Sequence, residues 1–252
     1  MTLQYCSDLH LEFNENCNYI KTHPLQIKGD ILILAGDIVP FALMSKHEDF
    51  FSYVSDNFAC TYWLPGNHEY YHSDLSLRSG PFLESIRKNV FLINDISVEH
   101  EDTKLIFSTL WSAINPAQRQ QIERGMNDFH VIRFDKRRFS AAEFNQLHEN
   151  SLHFIKEELD NPGNGKTVVI THHVPTFENY PAQYKTSVLN QAFAVELSPL
   201  IIQSGPDYWI YGHIHNNTPD FTIGKTRLIT NQLGYVHCNE HGLFQPDKCI
   251  IV

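Results

Sequence analysis

Five short segments of this chain carry the residue types that hold metal ions and move protons. They are Asp8-Leu9-His10, Gly36-Asp37, Gly66-Asn67-His68-Glu69, His172-His173 and Gly212-His213-Ile214-His215. The donors are carboxylates, an amide oxygen and imidazoles, with no thiolate among them. That set suits Mn²⁺, Fe²⁺, Zn²⁺ or Ni²⁺ better than a structural zinc cage. Residues two apart on an extended chain point the same way, so Asp8 and His10 are expected to aim at one point, as are His213 and His215. Glycine precedes Asp37, Asn67 and His213, where the backbone must turn sharply and approach an ion without a Cβ in the way. Taken singly, each segment reads as an ordinary polar turn or a surface histidine pair. All five in one chain, each just after a predicted strand, do not.

The elements that must position these segments are short apolar runs alternating with helical patterns, an α/β arrangement. Strands are expected at Leu3–Ser7, Ile31–Ala35, Thr61–Leu64, Val90–Ile93, Leu105–Thr109, Thr167–Thr171, Tyr208–Tyr211, Arg227–Thr230 and Cys249–Val252. Ile96–His100 and Leu105–Thr109 form a hairpin candidate, and the later, closely spaced strands read as antiparallel. Each of the five segments then sits at the carboxyl end of a strand, where open α/β sheets bind their ligands. The plainest helix begins at Ser140, with Glu143 completing a capping box and Phe139 and Phe144 a hydrophobic staple. Its stripe of Phe144, Leu147, Ser151, Leu152, Ile155 and Leu159 runs to the stop before Asn161-Pro162, and His148 lies at the stripe's boundary. A second helix is expected from Ser198-Pro199, with Ser198 as N-cap, to Gly205.

The chain has 252 residues, 42% hydrophobic and 19% charged, enough to bury a core without disulfide staples. No repeat, low-complexity tract or linker divides it, so residues 1–252 read as a single domain. The 29 acidic against 19 basic residues give a net charge of −10, which argues against holding nucleic acid by phosphate neutralisation. Five cysteines with no C-x-x-C pair, no signal-peptide pattern and no apolar run of spanning length point to a reduced, cytoplasmic protein with no membrane partner. The oligomeric state is not encoded in any pattern of this kind.

The ordered pattern D-x-H, G-D, G-N-H-[DE], H, G-H-x-H resembles the calcineurin-like metallophosphoesterases, and the match runs from residue 6 to 215. The resemblance implies a four-layer α/β/β/α sandwich of two packed mixed sheets flanked by helices. It implies that Asp8, His10, Asp37 and His215 hold one divalent metal ion. Asp37 would bridge to a second held by Asn67, His172 and His213, with His68 as the catalytic histidine. Two such ions carry +4 against −2 from Asp8 and Asp37, so an acidic protein still offers a positive site to a phosphate. Ions about 3.5–4 Å apart can activate water and stabilise in-line displacement at phosphorus. Glu69 is read as orienting its loop.

Subfamily features are read by absence. Gly-Asp-Ile-Val-Pro-Phe-Ala lacks the Asp-Arg-Gly of phosphoprotein phosphatases. Pro40 stands where purple acid phosphatases place Tyr, and there is no capping domain like that of the double-strand-break nucleases. The opening Ser7-Asp-Leu-His-Leu-Glu-Phe13 is similar to that of small bacterial-type phosphoesterases. Phosphomonoesters and phosphodiesters are both expected substrate classes. A DNA or RNA exonuclease and a non-catalytic protein-binding scaffold of the same fold are the competing readings; the retention of His68 and every ligand speaks against the scaffold. Substrate-contact candidates are His173, Asn127, Asp128 and Tyr235, with the basic cluster Arg133, Lys136, Arg137 and Arg138 and the segment Pro175–Ser187 as outlying possibilities.

Overall fold

The computed structural model describes all 252 residues. Its strands are β1 (Thr2–Cys6), β2 (Ile31–Ala35), β3 (Cys60–Leu64), β4 (Phe82–Arg87), β5 (Val90–Asn94), β6 (Ile96–His100) and β7 (Thr103–Ser108). They continue with β8 (Arg133–Phe134), β9 (Arg137–Arg138), β10 (Lys166–Thr171), β11 (Tyr208–Tyr211), β12 (Phe221–Ile223), β13 (Thr226–Thr230) and β14 (Cys249–Ile251). The α-helices are α1 (Asn14–Thr22), α2 (Glu48–Asn57), α3 (Arg119–Gly125), α4 (Asp128–Val131), α5 (Ala141–Asp160) and α6 (Ser198–Ser204).

Two six-stranded mixed sheets form, in the orders β14-β1-β2-β3-β5-β4 and β12-β13-β11-β10-β7-β6. Strand alternation sorts their side chains into three apolar layers. Leu3, Tyr5, Ile31, Ile33 and Leu64 of the first sheet meet Leu105, Phe107, Val168, Ile170 and Ile210 of the second between the sheets. The opposite faces are covered by helices. Leu32, Leu34 and Trp63 pack against Ile20 of α1 and Phe51 and Val54 of α2. Ile106, Val169 and Trp209 pack against Ile155 and Leu159 of α5 and Ile201 of α6. Helix, sheet, sheet, helix is the four-layer sandwich. Central strands are apolar on both faces because both faces are covered, as parallel sheets require.

Two readings of the sequence are corrected. The later strands are not antiparallel among themselves: β10, β11 and β13 run parallel, and the short β12, which no sequence run flagged, supplies the only antiparallel partner of β13. Close spacing mimicked a hairpin because the crossover between β11 and β13 is made by a loop and this three-residue strand instead of a long helix. Ser198 is the first residue of α6 and Leu197 takes the cap position; the Glu196 carboxylate accepts from the Ser198 N–H at 2.8 Å. Strand β4 has no apolar run to mark it, its outward residues alternating with half-buried ones at a sheet edge. The β6–β7 hairpin and the Ser140 capping box do form, with the Ser140 N–H donating to Glu143 at 3.0 Å.

Candidate active site

Every chemistry-bearing segment follows the carboxyl end of a parallel strand: β1 leads to Asp8 and His10, β2 to Asp37, β3 to Asn67 and His68, β10 to His172 and β11 to His213 and His215. The convergence does not come from extended alternation. Asp8, His10, Asp37, His213 and His215 all have left-handed backbones, with φ of 56°, 47°, 54°, 75° and 48°. Such conformations cost about 1–3 kcal/mol each in a residue with a Cβ and persist only where the surroundings enforce them. Enforcement is visible: the His213 N–H donates to Asp8 at 3.0 Å, and the Asp8 and His10 N–H groups donate to the Gly36 and Asp37 carbonyls at 2.9 Å. Gly66 is needed for a different reason, since a Cβ there would lie 2.2 Å from Asp37 Oδ1 and 2.6 Å from His172 Nε2.

Three groups of side chains could hold a metal ion, Asp8-His10-Asp37-His215, Asp37-His172-His213 and His10-Glu12-His68, and the first two share Asp37. Within the first, His10 Nε2 and His215 Nε2 are 2.9 Å apart; within the second, His172 Nε2 and His213 Nδ1 are 3.1 Å apart. The far nitrogen of each ring is committed elsewhere. His10 Nδ1 donates to Glu12, His215 Nδ1 to Glu240, His172 Nδ1 to the Ala35 carbonyl and His213 Nε2 to the Ala192 carbonyl, at 2.8–3.3 Å. Those bonds fix the tautomers, so that each pair turns two lone-pair positions toward one point, the arrangement by which outer partners orient metal-binding imidazoles. Asp37 Oδ1 accepts from the His68 N–H at 2.9 Å, leaving Oδ2 to face His172 Nε2 at 3.4 Å and His10 Nε2 at 3.8 Å. Asn67 Nδ2 donates to Asp128 at 2.9 Å, which turns its amide oxygen toward His172. The buried donors therefore fit divalent ions in both groups.

Charge completes the picture. Burial alone would raise the Asp37 pKa, but the His172 and His68 imidazoles outweigh it and hold the carboxyl well below its usual range. Burial depresses His213 to about 3 and also lowers His10, while carboxylates overcome burial to lift His172 to about 9 and His215 to about 10. Without ions, each imidazole pair thus shares one proton between a cationic and a neutral ring.

His68 stands at the edge of both groups. Its Nδ1 donates to Glu12 at 3.0 Å, its ring stacks on Tyr71 with centroids 4.0 Å apart, and Nε2 lies 3.4 Å from the Tyr235 hydroxyl. Burial pulls its pKa down, and Asp37 and Glu12 more than compensate, so the net shift is upward. Glu69 is fully buried and accepts from the N–H groups of Asp37, Ile38 and Gly66 and from the Trp63 indole, at 2.7–2.9 Å. It ties the β2 and β3 loops together and faces away from the donors.

A cavity of about 460 Å³ opens over these residues. Asp37, Asn67, His68, His213 and His215 form its floor; Tyr71, Met126, Asn127, Tyr180, Tyr184, Leu189, Phe193 and Tyr235 form much of its wall. Asn127 and Tyr235 are thus cavity residues. Asp128 and His173 are not: both are fully buried, Asp128 under Asn67 and Tyr71, and His173 against Trp111 and Phe144 with its ring 4.3 Å from His213. Tyr180, Tyr184 and Ser187 bring the 175–187 segment into the wall. None of Arg133, Lys136, Arg137 and Arg138 reaches it; they belong to the small β8–β9 hairpin. His148 is buried and donates to the Leu110 carbonyl. Sequence reading missed Glu12, Glu240 and Tyr71. Glu12 follows His10 by two residues and carried a faint signal; Glu240 lies in an irregular segment 25 residues from His215 and carried none.

A fold of two packed mixed sheets with Asp and His donors gathered at the strand ends defines a phosphoesterase class, and the family profile described as calcineurin-like phosphoesterase matches residues 1–217. The chain belongs to that family. It is 33% identical over 272 aligned positions to uncharacterized protein L509 of Acanthamoeba polyphaga mimivirus, covering 97% of this chain and 94% of the relative. Its fold is similar to that of the phosphopantetheinyl hydrolase PptH from Mycobacterium tuberculosis, with a TM-score of 0.72, 15% identity and coverage of 99% of this chain and 95% of the other. Family membership makes this a metal-dependent phosphoester hydrolase in general terms. No helix is long and apolar enough to cross a membrane.

Proposed function

We propose that the chain, acting as one domain, is a binuclear metal-dependent phosphohydrolase. Asp8, His10, Asp37 and His215 hold one divalent ion, Asp37, Asn67, His172 and His213 hold the other, and His68 is catalytic. The observation that carries this reading is the pair of donor groups sharing Asp37, with the far nitrogen of all four imidazoles fixed by a separate acceptor. Bound there, the ions would supply Lewis-acid polarisation of a phosphoryl group and a nucleophile from water at neutral pH. Mixed nitrogen and oxygen donors suit Mn²⁺, and Fe²⁺, Zn²⁺ and Ni²⁺ are the competing ions.

The chain's own residues do the rest. Glu12 holds His68 Nδ1–H, so the Nε2 edge is presented to the cavity. Protonated His68 stabilises the phosphoryl oxygens or gives its proton to the leaving oxygen. Asp128 and Tyr71 keep the Asn67 oxygen and the His68 ring in place from behind. A small phosphate ester is the substrate, and long nucleic acid is disfavoured by the −10 charge. All five cysteines are free, which supports a reducing compartment, the cytoplasm. The test is turnover of bis-nitrophenyl phosphate by protein stripped of metal and then supplied with Mn²⁺. Activity is expected only after resupply, and fast oligonucleotide cleavage without aryl ester turnover would favour a nuclease instead.

A further inference from the structure

The charge around the cavity is smaller than the metal ligands alone suggest. Two divalent ions would bring four positive charges, and Asp8 and Asp37 cancel two of them. Glu12, against His10 and His68, and Glu240, against His215, bring two more carboxylates to the same donors. None of the residues lining the cavity is a lysine or an arginine. The nearest in sequence are Arg124, beside Gly125 on one wall, and Lys185, beside Tyr184 on the other. Both are exposed and neither contributes to the lining. With both ions bound, the four carboxylates of Asp8, Glu12, Asp37 and Glu240 would balance the four positive charges. The wall is otherwise aromatic and amide in character, from Tyr71, Tyr180, Phe193, Tyr235, Asn127 and Asn190.

A phosphomonoester is largely a dianion at neutral pH, because its second pKa is about 6. A phosphodiester carries a single charge and exchanges the other for a neutral arm. Placing an uncompensated charge in a partly enclosed, aromatic-lined cavity is unfavourable, whereas an apolar arm gains from the same wall. We propose that this site selects singly charged phosphodiesters with one uncharged, aromatic or apolar arm, and discriminates against phosphomonoesters and polyphosphates. The proposal rests on the phosphohydrolase reading above and names its substrate class.

Binding and turnover test it together on the metal-loaded protein. Phenylphosphonate, held as a dianion at about pH 8.5, well above its second ionisation, and its monomethyl ester, a monoanion of nearly the same shape, are compared by calorimetry. The ester is expected to bind about tenfold more tightly, equivalent to about 1.4 kcal/mol. In parallel, kcat/KM is measured for nitrophenyl phosphate and for nitrophenyl phenylphosphonate, which share a leaving group. The singly charged substrate is expected to be favoured. Asn127→Lys, which puts a cation on the wall at a side chain that makes no hydrogen bond in this structure, should shift the ratio of the two toward the monoester by about three- to tenfold. Equal or better use of the monoester by the parent chain would overturn the proposal while leaving the hydrolase reading intact. An unchanged ratio in the lysine variant, with turnover of nitrophenyl phenylphosphonate retained, would overturn the charge argument. Turnover of neither substrate by protein of verified metal content would remove both readings.

Discussion

The floor and the wall of the cavity are built on opposite principles. At the floor and just beneath it, Asp8, Asp37, Asn67, His68, His172 and His213 are buried, five donors have left-handed backbones, and the far nitrogens of four imidazoles each have a separate acceptor. The wall is made of 3-10 turns and loop residues, and Asn127, Tyr184 and Ser187 are exposed. The floor is over-determined, so it can hold strained backbone and unfavourable charge until ions arrive. Parts of the wall are bound to the floor, as Tyr71 is to His68 and Asp128, whereas the exposed Asn127 makes no side-chain hydrogen bond and is free to vary. The exposed loop positions are therefore the ones at which side chains can change without disturbing the donors at the strand ends.

The comparison can be broken most severely at Asp37. Asp37→Ala removes the one side chain common to both donor groups, and turnover should fall to background with both ions lost by elemental analysis. Retention of one full-affinity ion would show the two groups to be independent. Next is the pair of glycines Gly66→Ala and Gly125→Ala. The first puts a Cβ onto Asp37 and His172 and should empty the site. The second meets only the tip of Leu189, at 2.9 Å, at the end of helix α3, and should change stability by no more than about 1 kcal/mol. Equal loss of metal in both would erase the contrast between floor and wall.

A third test separates chemistry from binding on the floor. His68→Ala should keep both ions and lower kcat by about 10²–10⁴-fold, the usual worth of an acid or base. An emptied site with normal turnover per bound ion would reverse the assignment. The adjacent pair offers a companion measurement: His172→Ala should lose one ion and His173→Ala should keep both, because His173 packs against Trp111 and Phe144 with its Nε2 unpartnered.

The smallest expected effect is the subtlest. His172 and His215 have pKa values raised to about 9 and about 10 in the metal-free chain, against an ordinary 6.5. A raised folded-state pKa stabilises fully below about 6.5 and loses that stabilisation as pH rises through the folded value. Metal-free protein should therefore lose thermal stability between about pH 6.5 and 10, and metal-loaded protein should not lose this contribution, because the ions have already displaced those protons. Calorimetry at pH 7.5 in buffers of different ionisation enthalpy should detect about two protons released as both ions bind. Buffer-independent heats would contradict the shared-proton picture.

Much of this site is legible in the sequence, and the misses have physical causes. Asp8, His10, Asp37, Asn67, His172, His213 and His215 are readable because strand-end donors must sit within a few residues of an apolar run. The reason offered for the convergence of Asp8 with His10 and of His213 with His215, side-chain alternation, fails, since the chain leaves the extended region at all four. Glu240 has no local signature, because it acts across the fold on His215. Asp128 is readable as a polar residue beside Asn127, but not as the group that turns the Asn67 amide, which depends on packing between residues 61 positions apart. Sheet order is half legible for the same reason. Strands β1 to β3, joined by helices or long loops, read as parallel, whereas β11 and β13, joined through the short β12, do not.

The central claim is that two ions held around Asp37 make this protein a hydrolase. The direct measurement is a titration of Mn²⁺ into protein shown by elemental analysis to be metal-free, followed by bis-nitrophenyl phosphate turnover. Turnover is expected to be absent at the start and to saturate at two equivalents per chain. Full turnover in the metal-free protein, or saturation at a single equivalent, would contradict that claim.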